Sequence, residues 1–469
     1  MTRRLPLAAL ALLLALTAAV PASAGGAQEP RLRGPVYGSF VNGFQYRNIA
    51  DPSILVDGGR YYAYSTNQTG TFSRNISVVH TADFDQWTPD PSVPAPREVL
   101  PQIPAWARPR SNGGAFWAPS VIRAGGRYNL YFAAKHRNAS ADDAGWCIGI
   151  ATADDPLGPF TPRATPFFCQ VHGTNQSQST LSTAPASHKG AIDPQVFRAP
   201  NGRLFLHFKA LDNVYQLWGV PLTSTGRALA GPARGLVPIA SNAATWERSS
   251  LLGFTILENP AMAYNPTAGV QRRFILFYSG GEWQRPLDNY GTGYALCSSA
   301  LGPCQRITTS RPWLRTRGSN AGPGAGSVFR GPGGGNWLAY GTYRSDHVQD
   351  GWGRRLHVEP LSYAGPTPHL ARRRPTGTIV GSSPGAGLVD LSGTADDPDT
   401  PLAFHRAGLR VTIREDARIV ARATTGAAGN WTAPQVSGET PGPHRYCARA
   451  PDDTGLTPRN FACVVVVVL

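Results

Sequence analysis

At 469 residues, 41% of them hydrophobic, the chain exceeds one ordinary core and has room for a large domain plus a smaller one. Its formal charge of +15 comes almost wholly from arginine, since Lys135, Lys189 and Lys209 are the only lysines. The arginines are scattered and form no long basic run, which argues against a nucleic-acid site; a basic surface would still favour an anionic cell wall or acidic polysaccharide.

Arg3 and Arg4, an apolar run from about Leu5 to Val20, and the small residues Pro21-Ala22-Ser23-Ala24 have the order of an export signal over residues 1–24. That run is too short for a membrane anchor, and no other stretch nears the roughly 20 apolar residues that a span needs. The expected mature protein is extracellular. In that setting the pairs Cys147 with Cys169, Cys297 with Cys304 and Cys447 with Cys463 suggest local disulfides. No Cys-x-x-Cys or His-rich cluster points to metal instead.

From Asp51 onward one pattern returns five times: a small or acidic residue, usually Pro, three mostly apolar residues, a Gly-rich turn and an aromatic strand. The copies open at Asp51-Pro52-Ser53, Ala118-Pro119-Ser120, Asp193-Pro194-Gln195, Asn259-Pro260-Ala261 and, with proline replaced, Ala325-Gly326-Ser327. Behind each lies a second hairpin, so each repeat predicts four strands. With essentially no amphipathic helical pattern between Gln45 and Pro360, the reading is all-β: a five-bladed β-propeller within residues 25–370. An irregular β-solenoid would want shorter repeats. After Arg372-Arg373-Arg374-Pro375 the pattern stops, and the alternating strands of residues 376–469 predict a small Ig-like β-sandwich. Asp396, Asp397 and Asp399 there suit a solvated loop better than a calcium site.

In a propeller the same repeat slot from every blade meets at one mouth. Asp51 and Asp193 share that slot, and Glu258 stands directly before the slot residue Asn259, so three carboxyls are expected to face one cavity. Asp-Pro alone is ordinary turn chemistry. Turn chemistry would treat all five slots alike, however, and gives no reason for Glu258 after Phe254-Thr255-Ile256-Leu257. Three acids in one pocket cannot all ionise cheaply, which leaves a proton donor beside a base, the pair that glycosidic hydrolysis needs.

Asp51-Pro52-Ser53 ahead of Tyr61-Tyr62, Trp117-Ala118-Pro119-Ser120-Val121, Ile192-Asp193-Pro194 and Glu258-Asn259-Pro260 together resemble, in that order, the motifs of the five-bladed glycoside hydrolases of family 43. The likeness covers nearly all of residues 35–365. It implies an inverting mechanism in which Asp51 activates water, Glu258 protonates the leaving oxygen, and Asp193 keeps Glu258 protonated and oriented. It also implies an α-L-arabinofuranosidase or arabinanase, with β-xylosidase next and a noncatalytic carbohydrate-binding propeller as the alternative. Trp117 and Phe116 are expected as sugar-stacking candidates, and Arg354 or Arg355 as the substrate-facing arginine of the last blade. Where the family often carries a histidine near a central ion, Gly322-Pro323-Gly324 is followed by Ala325, so no cofactor is expected and calcium is in doubt. The long segments Ser92 to Ala115 and Val171 to Lys189 are candidates for pocket walls. The expected partner is a polysaccharide or oligosaccharide, met by a monomer with no membrane span.

Overall fold

The computed structural model describes residues 35–38, 48–67, 73–82, 84, 87–88, 96–139, 145–173, 179–186, 189–211, 215–238, 245–249, 251–287, 289–348, 353–370, 376–396, 409–416, 418–450 and 460–469. The expected export signal, the Arg372-Arg373-Arg374-Pro375 junction, Asp397 and Asp399 lie outside these residues.

Strands form where β-branched and aromatic residues run between glycine turns. Gly58, Gly59, Gly125 and Gly126 all have positive φ, and as pairs they close the two-residue hairpins joining Ser53–Asp57 to Arg60–Ser65 and Phe116–Ala124 to Arg127–Lys135. Each repeat becomes a four-stranded antiparallel sheet with its strands in sequence order. The five first strands are Ser53–Asp57, Phe116–Ala124, Gly190–Arg198, Leu257–Tyr264 and Asn320–Arg330. Each touches the next in chain order, and the fifth also touches the first.

The apolar core follows from that order, because both faces of a blade are covered by neighbours. Leu55, Tyr64 and Val78 of the first blade pack with Leu130 and Phe132 of the second. Ile54 and Val79, on the opposite side, pack with Phe329 and Leu356 of the fifth. Burying each such side chain contributes on the order of 1.5–3 kcal/mol.

The chain ahead of the first blade fastens onto the last one. The Val36 N–H donates to the Leu356 carbonyl at 2.7 Å, Ile49 N–H to the Arg354 carbonyl at 2.9 Å, and Arg354 N–H to Asn48 Oδ1 at 2.8 Å. Gly353 permits this approach: its φ is +73°, and a Cβ there would sit 2.9 Å from Asn48 Cα. The joint brings Asp51, two residues beyond Ile49, beside the start of strand Arg355–Ala364.

The remaining strands form a three-stranded sheet from Thr376–Gly385, Leu388–Asp396 and Asn430–Thr432, and a four-stranded sheet from Arg418–Thr424, Arg410–Glu415, Gly442–Arg449 and Ala462–Val468. Both sheets contribute to one core around Leu391, Ile413, Trp431 and Tyr446. The disulfides are Cys147–Cys169, Cys297–Cys304 and Cys447–Cys463, the three expected pairs; the last two join residues directly opposite across antiparallel strands. Among the described residues no helix is long and apolar enough to cross a membrane.

Candidate active site

Four of the five first strands carry the same local device, while the first, Ser53–Asp57, begins just after its slot. Proline at the second slot position has no N–H for the ladder, and the strand bulges there. The register skips a residue between Trp117 and Ser120, Ile192 and Gln195, and Glu258 and Ala261, and the skip persists between Gly324 and Ser327, where glycine replaces proline. The slot residue is left-handed in all five blades, with φ of 51° at Asp51, 44° at Ala118, 56° at Asp193, 49° at Asn259 and 54° at Ala325. Such a backbone costs a residue with a Cβ on the order of 1–2 kcal/mol. Turn geometry therefore treats the five slots alike, as expected, and only the side chains distinguish them: Asp51, Asp193 and Asn259 line one cavity together with Glu258.

The three acids have different partners. The Thr66 hydroxyl donates to Asp51 Oδ2 and accepts the Ala118 N–H at 2.9 Å, tying the first blade to the second. Arg354 Nη1 lies 3.1 Å from Asp51 Oδ1, and both side chains are nearly buried. Asp193 Oδ2 accepts the Asn259 N–H at 3.1 Å. Burial, reinforced by the Glu258 charge, pushes the Asp193 carboxyl up to about 8, while Lys209 pulls it the other way. Glu258 receives Lys209 Nζ at 3.1 Å on Oε2 and the Tyr290 hydroxyl at 2.9 Å on Oε1. Burial and then the Glu258 charge hold the Tyr290 phenol well above its ordinary range, so it stays a donor.

Gln216 fixes the approach to Glu258. Its Oε1 accepts the Leu257 N–H at 2.6 Å and its Nε2 donates to the Thr255 carbonyl at 2.8 Å. The cavity, about 1040 Å³, is large enough for several sugar rings. Leu252, Phe254, Ile256, Trp283 and Gln284 also line it, and Leu252, Phe254 and Trp283 present exposed apolar surface. Among the described residues none of 92–115 or 171–189 lines it, which corrects the expectation that those long segments wall the pocket. Their length goes elsewhere: Trp106 packs against Phe132, and Gln170–His172 pairs with Thr180–Ser182.

Trp117 lines the cavity half-buried and stacks on Trp146 with ring centroids 4.0 Å apart. Phe116 does not reach the cavity: it is fully buried and packs on Phe132, because adjacent strand residues face opposite ways. Of the two arginines, Arg354 lines the cavity, whereas Arg355 turns its guanidinium to the Ser319 and Tyr343 carbonyls and Asn320 Oδ1. Thr66, Lys209, Gln216 and Tyr290 are site residues that motif reading missed. The one available signal was Lys209, one of three lysines in a chain whose other basic side chains are nearly all arginine.

The fifth slot does not fit a histidine-ligated ion. Ala325 stands there fully buried, its N–H donated to Ser279 Oγ at 2.6 Å, and offers no ligand atom from its side chain.

The profile described as Glycosyl hydrolases family 43 matches residues 41–367. An extracellular endo-alpha-(1->5)-L-arabinanase of Thermotoga petrophila is 27% identical over 249 residues, covering 51% of this chain and 48% of its own length. Xylosidase/arabinosidase 43A of Humicola insolens is 29% identical over 173 residues, covering 34% of this chain and 43% of its own. The chain thus spans about half the length, or less, of these curated relatives. Among solved structures, a thermostable family-43 glycoside hydrolase superposes with a TM-score of 0.53 at 20% identity, over 72% of this chain and 96% of its own, a likeness of fold.

Proposed function

The chain belongs to family 43 of the glycosyl hydrolases, and from that premise we propose a secreted, inverting hydrolase of α-L-arabinofuranosyl linkages in arabinan or arabinoxylan. The observation that carries the reading is one cavity lined by Asp51, Asp193 and Glu258, each with different partners. Asp51, oriented by Thr66 and Arg354, takes the proton of the attacking water. Glu258 gives a proton to the leaving oxygen, and Asp193 shares that proton's site. Trp117, braced by Trp146, offers a face to a sugar ring. Carboxyls handle both proton transfers, so the reading calls for no cofactor.

The arabinose assignment is supported by the arabinanase name of the Thermotoga relative, and the β-xylosyl alternative by the xylosidase/arabinosidase name of the Humicola relative. Secretion is supported by the three disulfides and by the word extracellular in the first of those names. Purified protein assayed on nitrophenyl arabinofuranoside, nitrophenyl xyloside and dyed linear arabinan tests the whole reading. Release from the arabinofuranoside or from arabinan is expected. Release from the xyloside alone would move the assignment to xylan, and sugar binding without hydrolysis of any of them would sink the enzyme reading.

A further inference from the structure

Lys209 stands on strand Leu204–Leu211, directly opposite Ile192, so it neighbours Asp193 while its ammonium reaches Glu258 on the next blade. It is 8% exposed. Ordering and desolvating a lysine is costly, and a lysine serving only solubility or surface pairing would remain at the surface. The reacting carboxyls are three, and two cations face them, Arg354 at Asp51 and Lys209 at Glu258. With one proton on the Asp193–Glu258 pair, the five groups sum to zero charge, which suits a dry pocket receiving a neutral sugar. The other titratable groups at the cavity stand outside this set of five: Tyr290 donates to Glu258, Tyr343 lines the cavity, and Glu282 is an acid of the wall that accepts the Ser249 hydroxyl and the Gln284 N–H.

We propose that Lys209 is a positioning residue for the acid: its ammonium aims the Glu258 carboxyl and lowers the pH at which the Asp193–Glu258 pair gives up its proton. The inference rests on the reading of Glu258 as the acid. Lys209 opposes the mutual repulsion of the two carboxyls, so the alkaline limb of activity marks a balance between them. Arginine would carry the charge but not the same compact point contact.

The test is the pH profile of kcat/KM for wild type, K209Q and K209R on an α-1,5-linked arabino-oligosaccharide and on a dinitrophenyl arabinofuranoside. K209Q keeps a donor for Glu258 and removes the charge, so its alkaline limb on the oligosaccharide should move up by about one pH unit or more. K209R should keep the limb near the wild-type position. The dinitrophenyl substrate needs no acid, so its profile should show no matching shift, whereas a lysine that only braces the blades would change both substrates alike or neither. A K209Q limb that stays in place overturns the inference, and K209M gives the same readout should K209Q not fold. Glu258→Ala separates the two failures. If it loses both substrates equally, the reading of the acid is wrong; if it spares the dinitrophenyl substrate while K209Q leaves the limb unmoved, only the Lys209 inference fails.

Discussion

Arg354 of the last blade meets Asp51 of the first at 3.1 Å, so the Asp51 carboxyl is held at the joint where the segment ahead of the first blade fastens to the final one. Arg354→Ala leaves a nearly buried carboxylate without its cation, and the expected result is a loss of about 100-fold or more in kcat/KM together with a lower Tm. Gly353→Ala tests the joint itself. Its positive φ and the close Asn48 backbone should cost roughly 2 kcal/mol and carry part of the activity loss without touching a reacting group. Thermal melts and steady-state kinetics on the two variants check both outcomes.

Asp193 is expected to set the alkaline limb of the site's pH dependence. Burial and the Glu258 charge raise its carboxyl to about 8, so the pair keeps a proton below that pH and loses it above. Activity on glycosides that need an acid should therefore fall as pH rises through about 8. Asp193→Asn removes the neighbouring charge that helps keep a proton on the pair, while its amide oxygen can still accept the Asn259 N–H. The rate should drop and the alkaline limb should move to lower pH; an unmoved limb in a folded variant would show that Asp193 plays no part in holding the proton.

The acids were legible because they sit in a repeated slot whose backbone the fold repeats at every blade. Asp51 and Asp193 fill the slot and Glu258 precedes it, and proline follows the slot residue in the first four repeats. Lys209, Thr66 and Tyr290 were not legible in that way. They lie on second strands or at strand edges: Thr66 and Tyr290 reach Asp51 and Glu258 across their own sheets, and Lys209 reaches Glu258 from the neighbouring sheet, pairings that no repeated motif marks. Phe116 was misread for a simpler reason: it and Trp117 are neighbours on a strand, and strand periodicity allows only one of them to face the cavity. The pocket walls were misplaced because segment length was the only cue, whereas the short loop around Leu252 and Phe254 is held over the cavity by the Arg248–Thr255 pairing and the Ser249 N–H to the Phe254 carbonyl.

His207 predicts how the blades respond to acid. It is fully buried, and its Nε2 donates to the Ala300 carbonyl at 2.7 Å, fastening the third blade to a turn of the fourth. Burial lowers its pKa to about 4, against an ordinary value of 6.5. The folded state therefore prefers neutral histidine. Its contribution is fully present above pH 6.5 and is lost as pH falls from there through about 4, amounting to about 3 kcal/mol. Denaturant unfolding at a series of pH values should show this slope in wild type and a flatter one in His207→Gln.

All the site residues lie between Asn48 and Arg354, ahead of the two C-terminal sheets. A chain ending at Ala371 should fold and retain its kcat on nitrophenyl glycosides. A folded truncation that has lost activity on these small soluble substrates would mean that the C-terminal sheets contribute to the site.

The roles of Glu258 and Asp51 separate by what each must do in the transition state. Glu258→Ala should cripple hydrolysis of natural glycosides, whose sugar leaving group needs a proton, by about 100-fold or more. It should largely spare an aryl glycoside with a very acidic phenol, which departs unaided. Asp51→Ala should cripple both substrates, because neither route avoids activating the water. That asymmetry is what distinguishes an acid from a base at the same pocket, since a purely structural lesson from either substitution would lower both substrates in parallel. Stereochemistry supplies the independent check. If Asp51 acts on water rather than attacking the sugar itself, the first product that NMR detects from wild type has inverted anomeric configuration. Retained configuration would require one carboxyl to have bonded to the sugar, and the assignment of base and acid to Asp51 and Glu258 would then be wrong.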